Sequence, residues 1–318
     1  RPKTYGTSAW SAILPKNRTL QRLRRRLVYW GARVAQAILL VLPFDMATAV
    51  GGRLGRLAFT LLRSERRRTL KHLALAFGQD KQEHERREIA RRVFVNAGRS
   101  IAEMMLFPRW NDKRLRQRIR FDEPEPLLRA CRSGRGFVFL TAHFGNWELL
   151  GAFVVQVLGV DLGVIARRLS NPYLDRLVND YRRRAGMKVF LRGERAASFS
   201  RHLRQGGTLG ILGDHDIRGL KGVFVDFFGR PAHTPTGPAE LILHSGVPWF
   251  TILLERSRDG YSHRVHCEGP FPIPDGENRA AKALQLTEQY MQWLERIVRR
   301  HPDQWMWMHD RWRKKPKT

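Results

Sequence analysis

One histidine stands at the junction of a predicted strand and a predicted helix. The apolar, β-branched and aromatic run that begins at Phe137 ends in His143, and a Gly145-Asn146 turn leads into an apolar helix opened by Glu148. A histidine at the C-terminal end of a strand lies in the crevice where open α/β sheets bind ligands. Glu148, five residues further on, can reach an imidazole nitrogen, fix its tautomer and stabilise the imidazolium. We therefore expect His143 and Glu148 to be a catalytic pair that deprotonates a hydroxyl.

The turn after this histidine has a second predicted role. Backbone N–H groups at a helix N-terminus bind anions and stabilise charge that develops on oxygen. We expect the N–H groups of Gly145 and Asn146 to contact a substrate anion or an oxyanion.

Arginines follow the next predicted strand. Val164–Ala166 leads into Arg167 and Arg168, and arginine forms fork-like hydrogen bonds with phosphate. We expect one of the two to bind substrate and favour Arg167, with a solvated basic turn as the alternative.

A third predicted strand, Thr208–Leu212, precedes Asp214, His215 and Asp216. The two carboxylates can orient arginines or form a wall of the acceptor site. An Asp-x-Asp beside a histidine is also ligand-like, but no third convergent ligand group is evident, so we predict no metal.

Regular alternation predicts the scaffold that positions these residues. From Ile119 onward strands and helices alternate, which is typical of an α/β sheet with helices on its faces. Before it, apolar residues at helical spacing predict helices. We divide the chain into an N-terminal region, residues 1–110, and a catalytic α/β domain, residues 111–318. The predicted strands are Gly136–Ala142, Leu162–Ala166, Lys188–Leu191, Thr208–Leu212, Val223–Phe228, Pro248–Leu254 and His263–Cys267. The predicted helices are Ala35–Leu42, Met46–Leu62, Glu83–Met105, Glu125–Arg132, Glu148–Val157, Pro172–Ala185, Ala196–Gln205, Pro238–Ser245 and Arg279–Arg300.

The charge of the chain predicts an anionic partner. The 318 residues are 42% hydrophobic, as in a globular protein, yet the formal net charge is +29. Nucleic acid, an acidic protein and a phosphate-bearing membrane surface all fit such a charge. Cys131 and Cys267 lack metal-ligand spacing, so we expect reduced, buried thiols.

The N-terminal sequence favours a membrane among these partners. Residues 1–26 are rich in basic side chains without an acidic one, and they precede the apolar stretch Leu27–Pro43, which contains Arg33. The uninterrupted apolar part is shorter than the roughly 20 residues of a spanning helix. A basic flank beside a short apolar helix is typical of an interfacial anchor. A signal peptide and an ordinary core helix are the alternatives, and no small-residue cleavage site is evident.

Several segments resemble the bacterial lipid A biosynthesis (lauroyl/myristoyl) acyltransferases of the lysophospholipid acyltransferase superfamily. The resemblance covers about Leu27 to Trp312, although His215 stands where the family more often has glutamine. The segments that carry it are the HFGNWE string from His143 to Glu148, Gly213–Asp216, Phe224–Gly229 and His301–Trp312.

The resemblance implies a glycerol-3-phosphate acyltransferase-like fold, a mixed sheet flanked by helices. It implies direct acyl transfer from a thioester, acyl carrier protein or acyl-CoA, to a hydroxyl of a lipid A precursor, without a covalent acyl-enzyme. The acceptor is a phosphorylated glycolipid at the cytoplasmic face of the inner membrane, so an anionic membrane surface is expected as a partner. An arginine after the strand Val164–Ala166 is implied near the active centre. No cofactor is expected.

Two other readings stay open. A relative with the same catalytic pair could acylate a phosphatidylinositol mannoside, a lysophospholipid or an aminolipid. A basic nucleic-acid-binding protein is the reading from a different class. The chain has no recognisable nucleic-acid module, so we expect no nucleic-acid partner.

Overall fold

The computed structural model describes residues 18–122, 124–194 and 196–316, so that the basic arm before residue 18 lies outside the described residues. The helices are α1 Arg18–Val41, α2 Phe44–Leu61, α3 Arg63–Phe77, α4 Glu83–Met105, α5 Asp112–Arg118, α6 Glu125–Arg132, α7 Trp147–Gln156, α8 Pro172–Arg184, α9 Ala196–Arg204, α10 Gly237–Ser245 and α11 Arg279–Arg300. The strands are β1 Ile119–Arg120, β2 Phe137–Thr141, β3 Leu162–Ala166, β4 Lys188–Leu191, β5 Thr208–Leu212, β6 Gly222–Asp226, β7 Pro231–Pro235, β8 Trp249–Arg256 and β9 His263–Glu268.

Seven strands form one mixed sheet in the order β1-β9-β8-β2-β5-β3-β4. Strands β2, β3, β4, β5 and β8 run parallel, whereas β9 pairs antiparallel with β8 and β1 pairs parallel with β9. The predicted α/β class with a mixed, helix-flanked sheet is thus confirmed.

The two faces of the sheet bury separate cores. Along β2, Val138 and Leu140 join one core while Phe137 and Phe139 join the other. This alternation is the two-residue period of a strand that is covered on both faces. Helices from the N-terminal region contribute to both cores, for example through Phe94 on one face.

Several elements differ from the sequence expectations. The sequence predicts no strand between Phe228 and Pro248, but Pro231–Pro235 pairs with β6 as an antiparallel hairpin. Proline is tolerated there because the hairpin is a two-stranded sheet in which each strand has a free edge. Helices α3 and α5 and the two-residue strand β1 were not predicted, and α1 begins at Arg18 rather than at Ala35. Cys131 and Cys267 are free and only partly buried.

Helices α2 and α4 approach each other closely through glycines. A Cβ on Gly98 would lie 2.2 Å from the carbonyl oxygen of Gly51, and one on Gly55 would lie 2.2 Å from that of Phe94. Only glycine permits this backbone contact. The contact fixes the position of α4 against α2. Two polar side chains of α4, Ser100 and Glu103, form hydrogen bonds with the turn after β2.

Within the described residues, no helix combines the length and apolar character needed to cross a bilayer.

Candidate active site

His143 and Asp214 meet because two neighbouring strands end in register. Thr141, the last residue of β2, pairs with Leu212, the last residue of β5, and the strands are parallel. Each strand is followed two residues later by one of the pair. The His143 ring nitrogen Nδ1 lies 2.9 Å from Asp214 Oδ1 although 71 residues separate them.

Asp214 is fully buried and receives three hydrogen bonds. Its Oδ2 accepts from the backbone N–H of His143 at 3.1 Å and from Trp305 Nε1 at 2.9 Å. Burial alone raises the pKa of this carboxyl, but electrostatic interaction with the imidazoles of His215 and His143 and these hydrogen bonds outweigh it. The pKa of Asp214 therefore lies well below its ordinary value.

The charge of Asp214 decides the tautomer of His143. An ionised carboxylate only accepts hydrogen bonds, so Nδ1 carries the proton and donates it. The other nitrogen, Nε2, then presents a lone pair. It has no hydrogen-bond partner in the described part of the chain, and the side chain is 26% exposed. His143 is thus prepared to accept a proton at Nε2.

Glu148 does not hold this ring, which corrects the sequence expectation. Its two carboxylate oxygens accept from Nε and Nη2 of Arg182 on α8, at 2.9 and 2.5 Å. The reason is that α8 presents a guanidinium to the start of α7, while the imidazole nitrogen already has Asp214. The catalytic requirement for Glu148 stays a prediction.

The N–H groups of the turn are also engaged. Gly145 donates to the Gln304 carbonyl at 2.9 Å, and Asn146 donates to the Leu254 carbonyl at 3.4 Å. The expected oxyanion role of these two groups is therefore not available in this arrangement. Gly145 has φ +55°, and a Cβ would lie 1.8 Å from the Leu254 carbonyl oxygen, so glycine is required here.

A buried ion pair holds the same turn from behind. Glu103 on α4 accepts from Nη1 and Nη2 of Arg256 at 2.6 and 2.7 Å, and both side chains are almost fully buried. The second oxygen of Glu103 also accepts from Asn146 Nδ2 at 2.7 Å. Ser100 links Arg256 to the Gly145 carbonyl. A buried ion pair is costly to form, and this one fixes the backbone directly after His143.

The imidazole of His143 is the first of three that stack in a column. The rings of His143 and His215 stack with centroids 3.7 Å apart, and His215 stacks on His309 at 3.8 Å. Trp147 closes the outer side with its ring 5.1 Å from that of His143. Burial lowers the pKa of His309 to about 4 and that of His215 well below its usual range, so both are neutral at neutral pH.

Asp216 belongs to a structural network rather than to an open acceptor wall. It is 2% exposed, and its oxygens contact His233 Nδ1 at 3.0 Å and Arg313 Nη2 at 2.7 Å. The network ties β7 to the C-terminal segment.

The stacked column argues against a metal ion bound by Asp214 together with His143 and His215. Ligand atoms of His143, Asp214 and His215 lie within 4.8 Å of one another. An imidazole coordinates through a lone pair in its ring plane, and the planes of His143 and His215 are parallel to within 1°. Two parallel, stacked rings direct their lone pairs past each other rather than toward one ion.

A profile of the bacterial lipid A biosynthesis acyltransferases matches residues 14–314. The chain belongs to this family. It is 27% identical over 291 residues to the lipid A biosynthesis myristoyltransferase of Escherichia coli K12, which covers 88% of this chain and 86% of that protein. It is 26% identical over 309 residues to the lauroyltransferase of the same organism, covering 95% and 97%. A phosphatidylinositol mannoside acyltransferase of Mycolicibacterium smegmatis is 25% identical over 229 residues, covering 71% and 72%. The protein is thus an acyltransferase.

The acyltransferase has an apolar pocket beside the pair His143 and Asp214, which we call the dyad. The pocket lies between α7 and the strands β2, β3 and β5. Trp147, which contacts the His143 ring, also lines this pocket. The Glu148–Arg182 ion pair lines it as well. The remaining lining residues include Phe139, Leu150, Gly151, Val154, Leu162, Val164 and Met187.

Arg167 and Arg168 do not contact the dyad. Both follow β3 and are exposed, and neither has a hydrogen-bond or ion-pair partner in the described ranges. Arg192, which follows the adjacent strand β4, has its pKa lowered by burial and by the nearby charge of Arg167. Two cations held together without a carboxylate can receive an anion.

Sequence reasoning missed the partners that complete the acyltransferase site. Trp305 and His309 lie in the Trp-rich C-terminal segment, which the sequence analysis used only for the family resemblance. The segment pairs with the turn after β2 through a bridge between Phe144 and Trp305. Its side chains also reach the dyad, and only the equal spacing of His143 and Asp214 from their strands could have indicated that pair.

Proposed function

We propose that the protein transfers a fatty acyl group from an acyl carrier protein thioester to a hydroxyl of a lipid A precursor, with His143 as general base. The observation that carries this proposal is the hydrogen bond between His143 Nδ1 and the buried, ionised Asp214. It leaves Nε2 free to take a proton. Membership of the lipid A biosynthesis acyltransferase family supports the same chemistry.

In the proposed reaction, Nε2 of His143 accepts the hydroxyl proton while the acceptor oxygen attacks the thioester carbonyl. Asp214 stabilises the imidazolium that results. The tetrahedral intermediate then expels the thiolate of the donor, which takes the proton back from Nε2. An ester and a free thiol are formed, and His143 returns to its starting state.

The oxyanion needs a donor other than the engaged turn amides. Thr141 Oγ1 is buried without a hydrogen-bond partner among the described residues, and Thr141 lines the apolar pocket. Thr141 is the last residue of β2 and lies two residues before His143. We assign the Thr141 hydroxyl as the candidate donor to the thioester oxygen.

The acyl chain occupies the pocket between α7 and the sheet in this proposal. Apolar lining residues stabilise an alkyl chain by about 0.8 kcal/mol for each buried CH₂. The Glu148–Arg182 pair stands at the same pocket. It shapes the space through which the chain passes, and this is the role we give to Glu148.

The charge of the protein suits both proposed substrates. A net charge of +29 attracts an acidic carrier protein and a phosphorylated acceptor. Arg167 and Arg192, adjacent at the ends of β3 and β4, are the candidates for a phosphate.

We propose peripheral attachment to the cytoplasmic face of the inner membrane, and the surface of α1 supports attachment to a membrane. Its exposed apolar side chains recur at helical spacing, in contrast to an ordinary core helix, while Gln36 and Leu39 face the protein. The side chains that form this exposed stripe are Leu20, Leu23, Leu27, Trp30, Val34, Ile38 and Val41. Arg22, Arg24 and Arg33 lie on the same helix and are exposed, which favours anionic lipid.

The alternative acceptor is a phosphatidylinositol mannoside, favoured by the similarity to the mycobacterial enzyme. The dyad serves either acceptor, because each reaction requires the deprotonation of a hydroxyl.

A transfer assay on purified, detergent-solubilised protein tests the proposal. Acyl carrier protein loaded with a medium-length chain is the donor, and a lipid A precursor, a phosphatidylinositol mannoside and a lysophospholipid are offered in parallel. Product on the lipid A precursor alone, lost in His143→Ala, is the expected result. Product on another lipid moves the enzyme to that acceptor, and unchanged turnover in His143→Ala refutes the mechanism.

A further inference from the structure

A second cluster of ligand-type side chains lies outside the active site. Glu255 belongs to β8, His266 to β9, and His301 follows the last residue of α11. Glu255 Oε2 lies 2.6 Å from His266 Nε2, and Glu255 Oε1 lies 3.1 Å from His301 Nδ1. Three secondary-structure elements thus direct one carboxylate and two imidazoles to one point.

The register of the sheet explains part of this convergence. In the antiparallel pair of β8 and β9, Glu255 stands opposite Arg264 and His266 stands opposite Leu253. Glu255 and His266 are therefore diagonal neighbours on the same face, close enough for long side chains to meet. His301 is delivered by the end of α11, which packs over the sheet.

The geometry of this cluster differs from that of the stacked histidines in the active site. One ligand atom from each of the three residues lies within 4.8 Å of the others. The rings of His266 and His301 have centroids 6.1 Å apart and are tilted by 44°, so they are not stacked. Lone pairs of two imidazoles in this arrangement can reach a common ion.

The cluster offers the atom types that coordinate a cation, carboxylate oxygens and imidazole nitrogens. Arg264, the nearest guanidinium along β9, is paired with Asp122 at 3.3 Å. The side chains of the cluster are 16–30% exposed, which leaves a path for an ion and a water ligand.

We propose that Glu255, His266 and His301 form a structural site for a divalent transition-metal ion of the Zn²⁺ type. Two imidazoles and one carboxylate are a ligand set that zinc accepts, with water as the fourth ligand. Acyl transfer does not require this ion to touch a substrate.

The site bears on the position of the segment that supports His143. Gln304, three residues after His301, bonds both the N–H and the carbonyl of Arg256, directly after Glu255. The Gln304 carbonyl accepts from Gly145, and the N–H of Met306 donates to the His143 carbonyl. An ion that joins His301 to Glu255 therefore fastens the start of this segment to β8.

Metal titration of the full chain without a polyhistidine tag tests the site. Protein treated with a chelator and then freed of it is titrated with Zn²⁺ against a chromophoric competitor, and with Co²⁺, whose visible absorption reports nitrogen ligation. We expect one tight Zn²⁺ per chain. His266→Gln and His301→Gln should each weaken the affinity by at least about tenfold.

Two matched variants make this result specific. His84→Gln changes an exposed histidine of α4 outside the cluster, and His143→Ala removes the other group of ligand atoms. Both should bind Zn²⁺ like the wild type. Saturating Zn²⁺ should raise the melting temperature of the wild type but not that of His301→Gln. Without metal, the two proteins should have the same melting temperature. Absence of Zn²⁺ binding, binding that survives both cluster variants, or binding lost in His143→Ala would overturn the proposal.

Discussion

His143 and His215 stack with their ring centroids 3.7 Å apart and their planes within 1° of parallel. In the proposed reaction His143 becomes an imidazolium, whereas burial keeps His215 neutral. A cation over the face of a neutral aromatic ring gains roughly 0.5–2 kcal/mol. The stack therefore stabilises the charged form of the base and holds its ring in place.

This stack gives the first prediction. His215→Gln should lower kcat about fivefold, corresponding to about 1 kcal/mol of lost imidazolium stabilisation, with a smaller effect on KM. His215→Phe should restore most of the rate because it keeps an aromatic face. The measurement is steady-state kinetics over a range of pH. Equal losses in the glutamine and phenylalanine variants would mean that the aromatic face is not what matters.

The dyad gives the second prediction. Asp214→Asn should lower kcat by about 10²–10⁴, because the amide can no longer fix the Nδ1–H tautomer or stabilise the imidazolium. Thermal unfolding of the same variant checks that the fold is retained.

Glu148 provides the comparison for this variant. If Glu148 acts through Arg182, the losses in Glu148→Gln and Arg182→Gln should not add in the double variant. Additive losses, or strong coupling of Glu148 to His143 instead of Arg182, would restore Glu148 as the direct partner of the base.

The third prediction concerns the length of the acyl chain that the enzyme prefers. A Cβ on Gly151 would lie 2.5 Å from Met187 Sδ in the apolar pocket. Gly151→Ala should push Met187 into the pocket and change the kcat/KM ratio by about tenfold in favour of shorter acyl donors. Competition between donors of different chain length measures this ratio. Gly237→Ala, where no atom lies within 4 Å, should leave the preference unchanged, and the same shift in both variants would exclude the pocket as its cause.

Membrane attachment through α1 gives the fourth prediction. Leu27 and Trp30 are 63% and 62% exposed, and burying each in the interface contributes on the order of 1.5–3 kcal/mol. The double change Leu27→Glu and Trp30→Glu should weaken binding to anionic vesicles by at least about tenfold in a sedimentation assay. Leu220→Glu alters an exposed leucine between β5 and β6 and should bind as the wild type does. Unaltered binding of the α1 variant would place the attachment elsewhere.

The fifth prediction concerns stability in acid. Burial lowers the pKa of His309 to about 4 in the folded chain, against a usual 6.5. Between these values the unfolded chain binds the proton and the folded chain does not, so the free energy of unfolding falls as the pH falls. His309 contributes up to about 3 kcal/mol to this loss.

Urea unfolding at pH 7 and pH 4.5 measures the effect. His309→Gln should show a smaller decrease than the wild type, and His84→Gln the same decrease. An identical decrease in all three proteins would mean that His309 does not titrate in this range.

Local patterns were sufficient for much of the scaffold. The bounds of β3, β4 and β5 agree with the prediction because each is a short apolar run followed by turn residues. The hairpin strand Pro231–Pro235 was missed because its prolines are typical of a loop, and only its pairing with β6 makes it a strand.

The candidate site was predicted less completely than the scaffold. The position of His143 at a strand end is a local property, but its partner is decided by which strand lies next to β2. That order is fixed by packing of the whole sheet, so spacing along the chain favoured Glu148 over Asp214. The same holds for Arg182, whose contact with Glu148 depends on where α8 packs.

The hydrogen bond from Trp305 to Asp214 has a consequence for biosynthesis of the protein. A ribosome that has translated the chain as far as α10 has already made both members of the dyad, but not the tryptophan that holds the carboxylate or the segment that supports the histidine turn. We therefore expect a nascent chain that stops before Trp305 to contain both residues of the dyad without the contacts that hold them in the geometry of the proposed mechanism.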